Sequence, residues 1–183
     1  MFDVDTELMI KTANDDESAF KELFERNYNR AVNIAYRVIG DKDIAEDISL
    51  ESFCNIYNNR KKYSPKAKFT TYLFRIVTNL SINKSKSKKE TACVISEFLI
   101  PISSVKESTP EENIAQSELE EKVKSAILKL PYRQRLALIF TQYEKISYSE
   151  TAEILKVSVK AVESLVHRAK ESLRKELSEY IKK

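Results

Sequence analysis

The chain has 183 residues, 42% of them apolar and 32% charged, with a formal net charge of +3: enough apolar material for a packed core, and too much for a disordered or fibrous polypeptide. One glycine and four prolines leave few sharp turns, and helix-forming Lys, Glu, Leu, Ile and Ala dominate over β-branched alternation, so the fold class is all-α. The opening MFDVDTELMIKTAND is acidic and its longest apolar run is three residues, which predicts no secretory signal, no membrane insertion and a cytoplasmic protein.

A short helix is expected near Thr6 to Ala13. From Asp16 a longer one places Phe20, Leu23, Phe24, Ala31, Val32, Ala35, Val38 and Ile39 at three- and four-residue steps and ends at Gly40, suited to a left-handed C-terminal position. Asp41 can cap the next helix, which carries Ile44, Ala45, Ile48, Phe53, Ile56 and Tyr57. Ser64-Pro65 interrupts the pattern, and a further helix starts near Phe69 to Thr71 with Phe69, Leu73, Ile76, Val77 and Leu80 inward. Its opposite face presents Thr71, Arg75, Asn79 and Asn83 at steps of four, expected to be exposed.

Periodicity then fades, and a linker is read from about Lys86 to Ser108. Thr109-Pro110-Glu111-Glu112 has the form of a capping box with proline in the first turn, opening a second domain whose first stripe is Ala115, Leu119, Val123, Ala126, Ile127 and Leu130. Pro131 starts a new helix, and Leu136, Ala137, Ile139, Phe140 and Tyr143 are expected to continue the core.

Ser147 and Glu150 form another capping box, opening a two-turn helix to Leu155, and Ser158 can cap a longer one toward Leu177. The three residues Lys156-Val157-Ser158 between them make this a helix-turn-helix pattern. Val162, Leu165, Val166, Ala169 and Leu173 point inward; Lys160, Ser164 and Arg168 form one outer row, with Glu163 and His167 beside it. An exposed helix of this kind fits the major groove, where such side chains bond base edges or phosphates, although any amphipathic helical hairpin shares the pattern. Lys156 stands where such turns often carry glycine, at a cost of about 1 kcal/mol if its φ is positive.

Charge is distributed in blocks. Residues 1–51 hold thirteen acids and six bases, residues 60–89 hold ten bases and no acid, and residues 90–121 hold eight acids and one base. Such an order fits a protein that meets nucleic acid with one surface and another protein with the next; a solvated basic face is the plainer reading of the same run. Cys54 and Cys93 lie 39 residues apart with no metal-ligand spacing, and His167 is the sole histidine. With no glycine-rich phosphate loop and no Ser/His/Asp set either, the sequence predicts no enzyme, no cofactor and no metal.

Four stretches together resemble the bacterial RNA polymerase sigma factors of the extracytoplasmic-function type: DESAFKELFERNYNRAVNIAYRVIGDKDIAEDISLESF, KFTTYLFRIVTNLSINKSKSKK, LPYRQRLALIFTQYEKISYSETAEIL and VSVKAVESLVHRAKESLRKEL. The resemblance implies two small helical domains joined by a flexible acidic linker: residues 1–88 like sigma region 2, 89–108 the linker, and 109–183 a region 4-like helix-turn-helix domain. It further implies that the chain binds core RNA polymerase, recognises the -10 and -35 promoter elements and helps to open promoter DNA. In this family the acidic helix docks on a coiled coil of the largest polymerase subunit, a role that falls on Glu46, Asp47 and Glu51; Leu50 stands where glutamine is usual.

For the -10 region the implied DNA-binding residues are Tyr63, Lys66, Lys68, Arg75, Asn79, Asn83 and Lys86, with Lys84, Lys88 and Lys89 as further phosphate contacts. Unpaired bases are caught there by aromatic faces and cations; Phe69 and Tyr72 belong to the core, Tyr72 where tryptophan is common. For the -35 region they are Ser158, Lys160, Ala161, Ser164, His167 and Arg168. The resemblance also implies an anti-sigma factor as a partner. Two other functions compete on the residues alone, a self-sufficient dimeric helix-turn-helix regulator, which leaves the basic middle block unexplained, and a nucleic-acid enzyme, which lacks a catalytic constellation.

Overall fold

Short polar residues at the helix starts take up backbone N–H groups that would otherwise lack partners. In the computed structural model, which describes residues 2–91 and 110–178 with side chains over 2–84 and 119–178, Asp3 caps α1 (Val4–Ala13), Asp16 caps α2 (Glu17–Ile39) and Asp41 caps α3 (Lys42–Asn58). A 3-10 turn at Arg60–Lys62 leads to α4 (Phe69–Thr91), then α5 (Pro110–Lys129), α6 (Tyr132–Leu138), α7 (Tyr148–Leu155) and α8 (Val159–Glu176). A π-helical turn, Ile139–Tyr143, extends α6. All the described secondary structure is helical, as expected.

Two local devices fix the first four helices. Gly40 ends α2 at φ 81°, a left-handed backbone that favours glycine, and a Cβ there would meet the tip of the Leu128 side chain of α5, Cδ1 at 2.8 Å, which would have to shift. Thr6 of α1 donates its hydroxyl to Asp3 Oδ2 at 2.9 Å and accepts the Phe69 backbone N–H at 3.0 Å, which caps α4 from another helix. Around these, Leu23, Ile34, Ile48, Phe53, Ile56, Phe69, Leu73 and Val77 are buried in one core.

That core does not stop at α4. Leu136, Ile139 and Phe140 from α6 and its π turn, and Ile154 from α7, belong to it, and Phe74 and Phe140 stack at 5.9 Å and 17°. Leu138 on the next face joins Ile127, Leu130 and Ala169 of α5 and α8, while Ala137 packs with Ala152, Val162 and Val166 of the helix-turn-helix. The uninterrupted apolar run Leu136–Phe140 follows from this: the end of α6 and the start of the π turn are a wedge covered on all sides, and a helical segment so covered carries apolar residues all round. Arg135 beside it donates to the carbonyls of Val38, Leu128 and Leu130, the C-terminal ends of α2 and α5, where a cation is favoured. Tyr132 donates its phenol to the Thr78 carbonyl at 3.1 Å.

Three expectations are corrected by this packing. Thr71 is buried rather than exposed, because α7 packs on the start of α4. Leu119, expected in the stripe of α5, is 44% exposed, and Tyr143 is 42% exposed with its ring under the Arg37 guanidinium at 4.8 Å. In these two cases the helix outruns the surface available to cover it. The backbone of α4 continues to Thr91, past the start expected for the linker. The Thr109–Glu112 capping box, Ala115 and Cys93 lie outside the described residues or side chains; Cys54 is an exposed free thiol.

Candidate nucleic-acid interface

The helix-turn-helix is built as its local signals require. Ser147 Oγ accepts the Glu150 N–H at 3.2 Å while Glu150 Oε2 accepts from Ser147 N at 3.4 Å, completing the capping box. Lys156 closes α7 at φ 53°, ψ 51°, in the left-handed region, and its N–H donates to the carbonyls of Ala152 and Glu153. Ser158 then starts α8, accepting the Ala161 N–H at 3.2 Å. Val162, Val166 and Ala169 are buried, and α8 therefore turns Lys160, Ser164 and Arg168 outward as one exposed row. His167 is exposed with Nε2 3.7 Å from Glu171 Oε1, Ser158 is exposed at the helix start, and Ala161 is half-buried.

A second polar row lies on α4. Arg75, Asn79 and Asn83 are exposed along about 12 Å of helix at 1.5 Å per residue, while Thr71, one step earlier, is buried. Lys66 is exposed in the preceding loop, and the side chain of Lys86 lies outside those described. Tyr63 is half-buried with its ring 5.4 Å from that of Tyr72; burial pushes both phenols above their ordinary pKa.

Lys68, expected on phosphate, has a partner from the other half of the chain. Its Nζ lies 2.6 Å from Glu150 Oε1, so one carboxylate serves the capping box with one oxygen and an ion pair with the other. That hydrogen bond pushes the Glu150 carboxyl below, and the Lys68 ammonium above, their ordinary values. Close by, Arg30 Nε donates to Glu144 Oε2 at 2.7 Å, Arg37 Nη1 is 3.6 Å from Glu144 Oε1, and the Arg30 guanidinium sits 4.7 Å above the Phe74 ring. Sequence reasoning missed Arg30, Arg37 and Glu144, since the partners are separated by 114 residues in the Arg30–Glu144 pair and no local pattern connects them.

The acidic face of α3 is a third surface. Asp47 and Glu51 are exposed, Glu46 is half-buried 3.8 Å from Lys42, and Leu50 stands among them 47% exposed. Burial, then the charges of Glu46 and Asp47, raise the pKa of Tyr28 beside them. Among the described residues no three His, Cys, Asp or Glu side chains gather as metal ligands, and no helix is long and apolar enough to cross a membrane.

Two outward polar rows on separate helices, one of them in a helix-turn-helix, together with an exposed acidic face on α3, fit a DNA-binding protein of modular helical type. Family comparison is specific: the model for Sigma-70 region 2 matches residues 23–91 and that for Sigma-70, region 4 matches residues 120–173. The ECF RNA polymerase sigma factor SigW of Bacillus subtilis is 31% identical, covering 93% of this chain and 98% of its own, and the RNA polymerase sigma-H factor of Pseudomonas aeruginosa is 26% identical, covering 94% and 93%. The chain belongs to the ECF RNA polymerase sigma factors, and it recognises promoters and acts with RNA polymerase in transcription initiation. The fold is shared with CnrH, solved in complex with the cytosolic domain of CnrY, at a TM-score of 0.71 and 23% identity over 96% of this chain and 98% of that one. The sigma factor RpoE, solved with the anti-sigma factor NepR from Bartonella quintana, gives a TM-score of 0.70 at 20% identity over 87% and 96%.

Proposed function

We propose that residues 1–88 carry polymerase docking and the -10 element, that 89–108 form the acidic tether, and that 109–183 carry the -35 element. One observation supports this division above others: the exposed rows Arg75–Asn79–Asn83 and Lys160–Ser164–Arg168 lie on two different helices, each backed by its own buried stripe. Asn79 is suited to a base edge, with its paired donor and acceptor, while Arg75, Lys66, Lys68 and Lys86 supply phosphate contacts. Tyr63 offers a ring face for an unpaired base, together with Asn83 at the end of the row. On α8, Lys160, Ser164 and Arg168 enter the major groove, and Ser158, Ala161 and His167 line its edge.

Glu46, Asp47 and Glu51 form the polymerase-docking surface, with Leu50 an apolar contact at its centre. In this reading the protein catalyses no reaction itself, works in the cytoplasm and is held inactive by a polypeptide anti-sigma factor. Transcription in vitro with core polymerase and mapped start sites tests the assignment. Start-site choice should depend on adding the protein, and Glu46→Lys/Asp47→Lys/Glu51→Lys should abolish that dependence. Start-site choice that is indifferent to the protein contradicts the proposal.

A further inference from the structure

The loop that joins the 3-10 turn to α4 is held from outside. Lys68, the residue before α4, has no side-chain acceptor for the N–H groups at the helix start, so a cap must come from elsewhere. Thr6 of α1 supplies it: the Phe69 N–H donates to Thr6 Oγ1 at 3.0 Å, between residues 63 positions apart. A hydroxyl has one hydrogen, and Asp3 takes it, Oδ2 accepting from Thr6 Oγ1 at 2.9 Å while Oδ1 accepts the Thr6 backbone N–H at 3.0 Å. Thr6 is thereby left with lone pairs alone to offer the loop. At the other end the Tyr63 hydroxyl is buried beside Thr6; burial raises its pKa, and the Thr6 side chain offsets part of the rise. The Tyr63 ring rests against that of Tyr72 with centroids 5.4 Å apart. Between these ends the backbone makes a turn of its own, from the Lys66 N–H to the Ser64 carbonyl at 2.8 Å, and Ser64, Lys66 and Ala67 are exposed. A buried threonine on α1 therefore meets the first and last residues of an otherwise open segment.

We propose that Thr6, oriented by Asp3, is a positioning residue for recognition of the -10 element: it fixes both ends of the loop 63–69 and so presents the Tyr63 ring and Lys66 to the unpaired strand in one geometry. The proposal rests on reading Tyr63 and Lys66 as contacts of that element. Neither Thr6 nor Asp3 touches DNA; both act through the loop. An anchored loop has little freedom left to lose on binding, whereas a loose one must be ordered at the moment of capture. A loose loop also accepts different bases more equally, because stacking by itself is tolerant of sequence. Loss of the anchor therefore shows chiefly as lost discrimination among bases. α1 carries another buried threonine, Thr12, whose hydroxyl donates to the Leu8 carbonyl at 2.9 Å inside the same helix. It serves as a matched control for the loss of a buried hydroxyl.

The test uses the full chain assembled with core polymerase. A promoter at which that assembly initiates is randomised at its -10 and -35 positions in turn, and transcripts are counted by a barcode placed downstream. Base preference is a ratio among templates read by the same active molecules, so it does not follow the fraction of protein that folds. Thr6→Val keeps the shape and removes the hydroxyl; it should flatten the preference at -10 positions about three- to tenfold and leave -35 positions unchanged. Thr6→Ser, which keeps the hydroxyl, should retain the preference of the unaltered chain, and Thr12→Val should retain it as well. Asp3→Ala alters an exposed side chain, so it reports even if Thr6→Val fails to fold, and it should flatten the same positions. Unchanged -10 preference in Thr6→Val or Asp3→Ala, flattening in Thr12→Val or Thr6→Ser, or equal flattening at -35 positions overturns the proposal. If the unaltered chain selects start sites with a -10 preference, only this inference falls with such a result; if it selects none, the functional reading falls.

Discussion

Phe74 of α4 and Phe140 of the π turn stack with centroids 5.9 Å apart, and both rings are fully buried. One contact thereby joins α4 to the π turn across 66 residues of chain. Truncating Phe140 to alanine removes that face and the local core together. We expect a loss of about 3 to 5 kcal/mol of unfolding free energy, measured by urea denaturation. A loss below about 1 kcal/mol would mean that the ring is not packed as described.

Gly40 should be costly to replace. At φ 81° Gly40→Ala incurs backbone strain, and the added methyl pushes aside the tip of the Leu128 side chain. The expected cost is about 1 to 2 kcal/mol, read as a lowered thermal midpoint.

Lys156 has the opposite sign. Its φ of 53° is a strained choice for lysine, and the residue is exposed. Lys156→Gly should raise stability by about 1 kcal/mol while leaving the affinity for an upstream promoter duplex unchanged. A fall in that affinity would assign the lysine to DNA instead.

Asn79 and Arg168 should separate the two promoter contacts. Arg168→Ala is expected to weaken binding to an upstream duplex and to reduce the salt slope by about 1 if a phosphate contact is lost. Asn79→Ala should leave that duplex unaffected and alter open-complex formation, followed by permanganate reactivity of unpaired thymines. The reverse pattern would exchange the roles of the two halves.

The Lys68–Glu150 pair should show in the pH dependence of stability. Glu150 is depressed below its ordinary 4.5, so its contribution is present above that value and is lost as pH falls through its folded-state pKa. Lys68 is raised above its ordinary 10.5, so its contribution is present below that value and is lost as pH rises through its folded-state pKa. A difference in thermal midpoint between the unaltered chain and Glu150→Gln should therefore exist at about pH 7 and shrink as pH falls below 4.5 through the folded-state pKa of Glu150. A difference that persists in acid would place its origin in the cap, which glutamine alters at any pH.

What the sequence by itself determined was local. The caps Asp16, Asp41, Ser147 and Ser158, the left-handed end at Gly40, the outward row on α8 and the succession of charge blocks all follow from interactions within about one helical turn or from composition. Tertiary structure decided what distance along the chain conceals. Thr71 reads as the first member of an exposed row, yet α7 covers it; Leu136–Phe140 reads as one core stripe, yet α6 packs against three groups of helices. Glu150 reads as a cap and is one, but its second oxygen meets a lysine 82 residues away. A pairing across such a separation has no periodicity to announce it, because it depends on where whole helices settle once their apolar faces are buried.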